Sequence, residues 1–184
     1  MSFDLARGEC LAIQGASGSG KTLLLRAIAD LDPNDGSITL NGVARGSIPA
    51  PQWRRRVAYV PAEPGWWADT VAAHFADWHD AEPLAGAIGL SPSCRDALLS
   101  TLSTGERIRL ALVRTLVLDP AILLLDEPTG ALDTETARAV ETLIARRRSE
   151  GVGVLWVTHD SAQVRRVAGG WMAVENGIIG PVKR

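Results

Sequence analysis

Eight consecutive residues, Gly15-Ala16-Ser17-Gly18-Ser19-Gly20-Lys21-Thr22, fit the pattern G-x-x-x-x-G-K-S/T. The chemistry served by that pattern is the cradling of a phosphate chain. Glycines let the backbone turn its N–H groups inward around phosphate oxygens, and a helix N-terminus adds a partial positive charge. Lys21 is expected to reach the β- and γ-phosphates and the Thr22 hydroxyl to ligate Mg²⁺. A glycine-rich turn matches by chance at roughly 10⁻⁵ to 10⁻⁴ per position at average residue usage. That is too rare to explain a match in 184 residues.

The second candidate site is Ile122-Leu123-Leu124-Leu125-Asp126-Glu127, an apolar run that ends in two carboxylates. Open α/β sheets bind ligands at the C-terminal ends of their strands. Asp126 is expected to hold Mg²⁺ opposite Thr22, directly or through water. Glu127 is placed to polarise an attacking water as general base, a role that typically contributes about 10²–10⁴ in rate. Alone, a solvated acidic pair at a strand end would be the simpler explanation; downstream of a phosphate loop it is not.

These residues need a scaffold, and the hydrophobic pattern supplies one. Cys10-Leu11-Ala12-Ile13 reads as a buried strand entering the glycine loop, and Lys21 to Ile28 as the helix leaving it. Ser37 to Leu40, followed by Asn41-Gly42, reads as a strand and a tight turn, and Arg56 to Val60 as a strand stopped by Pro61. From about 65 to 101 the strand pattern disappears. Short helices are expected over Thr70–Trp78, Ala81–Ile88 and Ser93–Leu99, punctuated by Pro83, Gly89 and Pro92. From about 104 to 175 helix and strand alternate, the sign of a parallel sheet with crossovers. The continuous apolar runs 121–125 and 153–157 suit strands covered on both faces.

Composition narrows the class. Length favours one domain, and 19 Lys+Arg against 21 Asp+Glu give a net charge of −2, which argues against a nucleic-acid-binding surface. Arg54-Arg55-Arg56 and Arg146-Arg147-Arg148 are expected to be solvated faces, and His74 and His79 helix-surface residues. Two cysteines are too few for a disulfide framework, which favours a reducing compartment. No window of 18 apolar residues and no basic-then-apolar N-terminus occurs, so neither a membrane span nor a secretory signal is expected.

A third segment, Leu102-Ser103-Thr104-Gly105-Glu106-Arg107, runs into the helical stretch Ile108 to Arg114. It resembles the signature of ATP-binding-cassette (ABC) ATPases, usually L-S-G-G-Q or L-S-G-G-E. The rest of that family's pattern follows in order. Asp126-Glu127-Pro128-Thr129 resembles the Mg²⁺ strand, Ala131-Leu132-Asp133 the loop crossing the dimer interface, and Val157-Thr158-His159-Asp160 the switch-histidine segment. The resemblance covers nearly the whole chain. The shortened helical part and Leu155 to Asp160 also resemble small ATPase subunits of the FetA/YbbL type, linked to bacterial iron export.

The resemblance implies an α/β P-loop NTPase of the ABC type: a mainly parallel sheet core (about 1–64 and 104–184), an antiparallel β part, and a small inserted helical subdomain (about 65–103). It implies ATP and Mg²⁺ as ligands. It also implies a homodimer in which each chain's Ser103 and Gly105, at a helix N-terminus, close on the γ-phosphate held by the partner's loop. Asp133 joins the nucleotide-binding candidates, and His159 is expected to bond the γ-phosphate and support the attacking water. The function implied is ATP hydrolysis powering transport through a separate transmembrane permease, with the chain held at the inner face of the cell membrane. A soluble non-transport ABC ATPase and a degenerate regulatory cassette are the alternatives.

Three departures from the family pattern carry consequences. Ala62, in Tyr59-Val60-Pro61-Ala62-Glu63-Pro64, stands where a glutamine is usual, so that group's contact to Mg²⁺ and water is missing. Most cassettes supply an adenine-stacking aromatic from a region that precedes Met1 here, and Phe3 is expected to pack in the core instead. Thr104 replaces the first signature glycine, a change that leaves Ser103 and Gly105 to contact phosphate. Trp66-Trp67, after the Ala62 loop, either anchor the membrane partner or pack the base of the helical part.

Overall fold

The apolar runs assemble into one sheet whose strand ends converge. In the structure, a computed structural model that describes residues 2–175 and 177–184, β1 (Cys10–Gln14) leads through the glycine loop into α1 (Lys21–Ile28). A short hairpin of β2 (Thr39–Leu40) and β3 (Val43–Ala44) follows, turned by Asn41 (φ +52°) and Gly42 (φ +79°). Both φ values are positive, which the Asn-Gly pair tolerates. Then come α2 (Ala50–Arg56), β4 (Val57–Val60), α3 (Trp78–Ala87) and α4 (Thr104–Leu116). The chain closes with the predicted alternation β5 (Ile122–Asp126), α5 (Thr134–Ser149), β6 (Gly153–Val157), α6 (Ser161–Val167), β7 (Gly170–Glu175), and a last short strand β8 (Ile178–Ile179).

The main sheet has the order β4-β5-β6-β1-β7-β8, parallel throughout except for the β7–β8 pair. Val60 pairs with Leu125, Asp126 with Val157, and Val157 with Ile13. The loops after β1, β4, β5 and β6 therefore leave at one edge. Side chains alternate between two cores. Leu11, Ile13, Val57, Leu124, Leu155 and Val157 pack with Leu25 of α1 and Trp53 of α2, while Cys10, Val60, Leu123, Leu125, Val154 and Trp156 face α4 and α5. Each fully buried leucine contributes roughly 2–5 kcal/mol, judged by its truncation to alanine.

The stretch 65–103 differs from expectation. Thr70–Trp78 is not a helix: one 3-10 turn spans Ala72–His74, and α3 starts at Trp78 with Asp77 capping it. The reason is a tertiary pairing, since Thr70 bridges Leu98 antiparallel and the Leu99 N–H donates to the Asp69 carbonyl. Ser93–Leu99 likewise holds only 3-10 turns, Pro92–Asp96 and Leu99–Thr101.

His74 is not a surface residue but buried. Its Nε2 accepts from the N–H groups of Trp67 (3.1 Å) and Ala68 (3.2 Å), so Nδ1 donates to the Thr70 carbonyl (3.0 Å). His79 is exposed. The second arginine triplet is only partly solvated, because Arg147 donates to the Leu116 carbonyl and Arg148 to those of Gly8 and Val167. Among the described residues no helix is long and apolar enough to cross a membrane.

Candidate functional site

Loop 15–20 is shaped by close packing on one side and openness on the other. A Cβ at Gly15 would collide with the Val174 carbonyl oxygen and lie 2.7 Å from Ser19 Oγ, so only glycine fits. Gly18 (φ +75°) and Gly20 (φ +105°) hold left-handed backbone, and Ala16, Ser17 and Gly18 are exposed. Gly20 caps α1, so no side chain satisfies the first N–H groups of the helix, and its first turn carries no acidic residue. Those donors await an external acceptor. The buried Ser19 hydroxyl lacks a partner among the described residues. Lys21 folds back over the loop, its Nζ donating to the carbonyls of Gly15 and Ala16 at 2.8 Å each. The cradle suits a polyphosphate, whose oxygens would replace those carbonyls.

Thr22 and Asp126 meet across the sheet edge. The Thr22 hydroxyl donates to Asp126 Oδ2 at 2.7 Å, and the Tyr59 hydroxyl donates to the same oxygen at 3.0 Å. Tyr59 pairs with Leu124, so Asp126, two residues on, lies on the same sheet face. Burial first, and then the charge of Asp126, raises the phenol above its usual range, which keeps Tyr59 a donor. Among the described residues no cluster of three or more His, Cys, Asp or Glu could hold a metal unaided. A hydroxyl and a carboxylate beside a phosphate cradle suit Mg²⁺, which takes oxygen ligands and keeps several from water and phosphate.

Glu127 and His159 form the second half of the site. Nδ1 of His159 lies 3.1 Å from both carboxylate oxygens of Glu127. Glu127 holds φ +49°, uncommon for a residue with a side chain, and its N–H donates to the Val157 carbonyl. The His159 side chain is 76% exposed.

The remaining candidates stand apart. Ser103 caps α4 in a reciprocal box: its hydroxyl and N–H donate to Glu106 Oε2 (2.7 and 2.9 Å), and it accepts from the Glu106 N–H. These bonds from Ser103 hold the Glu106 carboxyl below its ordinary range. A Cβ at Gly105 would lie 3.1 Å from Leu132, so the signature packs against the 131–133 loop. Asp133 caps α5, accepting from the N–H and hydroxyl of Thr136. Among the described residues no hydrogen bond joins Ser103 or Gly105 to loop 15–22.

Ala62 and Glu63 are both exposed, and Phe3 packs beside the α1 core. The two tryptophans divide. Trp66 packs on the core and Trp67 is 70% exposed, with the Arg114 guanidinium 4.5 and 4.7 Å from their ring centroids. Tyr59 was not among the expected site residues, although strand parity could have found it beside Asp126.

The chain is similar to known proteins over most of its length. The family model described as ABC transporter matches residues 1–130. Protein STAR1 of Oryza sativa subsp. japonica is 36% identical over 180 residues, covering 91% of this chain and 52% of that protein. The chain thus spans about half the length of such a relative. The putative ABC transporter ATP-binding protein YjkB of Bacillus subtilis (strain 168) is 36% identical over 176 residues, covering 90% of this chain and 70% of that one. A solved structure of an ATP-binding subunit of an ABC transporter superposes with TM-score 0.87 at 25% identity, covering 98% of this chain and 80% of the other.

Proposed function

Because the chain belongs to the ABC transporter family, we propose that it binds and hydrolyses ATP to power transport through a separate membrane subunit. The observation that carries this is the convergence, on one sheet edge, of the Lys21 loop, the Thr22–Asp126 contact and the Glu127–His159 contact. Loop 15–22 binds the phosphates, with Lys21 neutralising the β- and γ-oxygens. Thr22 and Asp126 hold Mg²⁺, which when bound offsets phosphate charge. Glu127 takes a proton from the attacking water as its oxygen bonds the γ-phosphorus and the bond to the bridging oxygen breaks. ADP and phosphate leave. His159, with Nδ1–H donating to Glu127, donates from Nε2 to a γ-phosphate oxygen when the ring carries both protons.

Ser103 and Gly105, at the exposed start of α4, lie outside that constellation. In this reading they complete the site on a second copy of the chain, with Asp133 in the loop between the two copies. Residues 65–103 form the helical subdomain that carries the signature. Its short length supports the FetA/YbbL-like subtype, with the permease holding the cassette at the inner membrane face.

The exposed Ala62 favours one rival, a cassette that binds nucleotide without turnover. Two substitutions decide. Lys21→Ala is expected to weaken nucleotide binding, and Glu127→Gln to retain binding, dimerise with ATP and lose turnover. Parental hydrolysis by Glu127→Gln would remove Glu127 as base; equal inactivity of the parent, with or without a membrane partner, would favour the rival.

A further inference from the structure

Behind the Glu127–His159 contact runs a buried polar chain that the proposed mechanism leaves unused. Gln163, in α6 and 3% exposed, donates from Nε2 to Thr129 Oγ1 and to Glu141 Oε1, both at 2.9 Å. The Glu141 carboxylate, an acceptor only, fixes which way the amide faces, and the Thr129 hydroxyl accepts the second N–H. Glu141, in α5 and 8% exposed, also receives Arg166 through two bonds, at 3.0 and 2.7 Å, with Arg138 at 3.5 Å.

We propose that Gln163 is a positioning residue for hydrolysis: by tying α6 to Thr129 and Glu141, it fixes the separation of Glu127 from His159. The inference rests on the reading of Glu127 as base given above. Glu127 lies two residues before Thr129, and His159 four before Gln163. The two loops leave strands paired at Asp126 and Val157. The strand pairing joins them on one side of the site and Gln163–Thr129 on the other. Between these, among the described residues, lie the bond from the Glu127 N–H to the Val157 carbonyl and the Glu127–His159 contact itself.

Backbone strain gives the tie a task. A side-chain-bearing residue at φ +49° persists only where its surroundings over-determine it. The turn supplies two bonds of its own, from the Gly130 N–H to the Glu127 carbonyl and from the Leu132 N–H to the Thr129 carbonyl. Those bonds shape the turn but do not place it against α6. Gln163 does, and Glu141, held by Arg166, keeps the amide from rotating away.

Gln163→Met keeps length and volume while removing both bonds, and Thr129→Val removes one with little change of shape. In the full chain, each is expected to lower kcat about 10- to 100-fold, as small misplacements of reacting groups do, with KM for ATP little changed. The second readout needs no hydrolysis. At fixed pH, the His159 ring resonances should move from their parental NMR positions toward those of Glu127→Gln. A lower melting temperature with parental kcat and parental His159 resonances, in both variants, would overturn the proposal and leave a purely structural network. If the resonances move but Glu127→Gln hydrolyses ATP at the parental rate, the positioning stands and the assignment of the base falls.

Discussion

His159 and Glu127 leave different strands, yet the imidazole Nδ1 lies 3.1 Å from each oxygen of the carboxylate. A ring held by the base leaves its other nitrogen free for substrate. His159→Ala is therefore expected to lower kcat by about 10²–10⁴, the range of positioned acid–base groups. Nucleotide affinity should change little, because Lys21 and the loop amides remain. Measuring kcat beside the dissociation constant of a non-hydrolysable ATP analogue tests the split, and a large loss of affinity would reassign His159 to binding.

Tyr59 gives a second test, because it touches Asp126 and not the phosphate cradle. Tyr59→Phe deletes one hydrogen bond to a carboxylate, worth about 1.5–3 kcal/mol in a buried setting. The consequence should appear as a higher Mg²⁺ requirement for nucleotide binding, while metal-free binding stays parental. Isothermal titration of nucleotide with and without Mg²⁺ separates the two. Equal weakening in both would mean that Tyr59 acts on the fold.

How far the sequence could be read follows from the range of the forces involved. Lys21, Thr22, Asp126 and Glu127 were legible because short motifs sit at strand ends marked by continuous apolar runs. The alternation from α4 to β7 was legible for the same reason. His74 was not: its burial comes from accepting the N–H groups of Trp67 and Ala68 and donating to Thr70, bonds that no periodicity announces. Thr70–Trp78 carries helical composition, but pairing with Leu98 and Leu99 overrides local propensity. The helix α2 was not read at all: only its arginine triplet was, as the solvated face that it is, while Trp53 anchors the helix in the core. Gln163 and Glu141 were invisible, since a buried polar pair reads in sequence like any surface pair.

Gly15 and Gly18 should respond differently to alanine. At Gly15 the new Cβ strikes the Val174 backbone in β7, which no rotamer change relieves. Overpacking of this kind costs about 1–3 kcal/mol or more. At Gly18 the space is open and only the left-handed backbone objects, at roughly 1–2 kcal/mol. Gly15→Ala is expected to lower the melting temperature further than Gly18→Ala, and both to weaken nucleotide binding. A melting temperature lowered more by Gly18→Ala would show that β7 yields to the collision.

Acid should loosen the helices behind the site before it damages the sheet. Burial pushes the Glu141 carboxyl up, but hydrogen bonds from Arg166 and Gln163 and the charges of Arg166 and Arg138 outweigh it and hold the group below its ordinary value. Asp160 is held low as well, chiefly by the N–H groups of Gln163 and Ala162 at the start of α6. A folded-state value below the unfolded one adds stability that is present above the unfolded value, near 4 for these carboxyls. That stability is lost as pH falls through the folded values. The melting temperature is therefore expected to hold from neutral pH down to about 5 and to drop below it. Glu141→Gln should lower the plateau, because Arg166 and Arg138 lose their shared carboxylate, and should flatten the acid limb, because one linked proton is gone. Melting curves of parent and variant across that range decide it: an acid limb equally steep in both would locate the linked carboxylates elsewhere in the molecule.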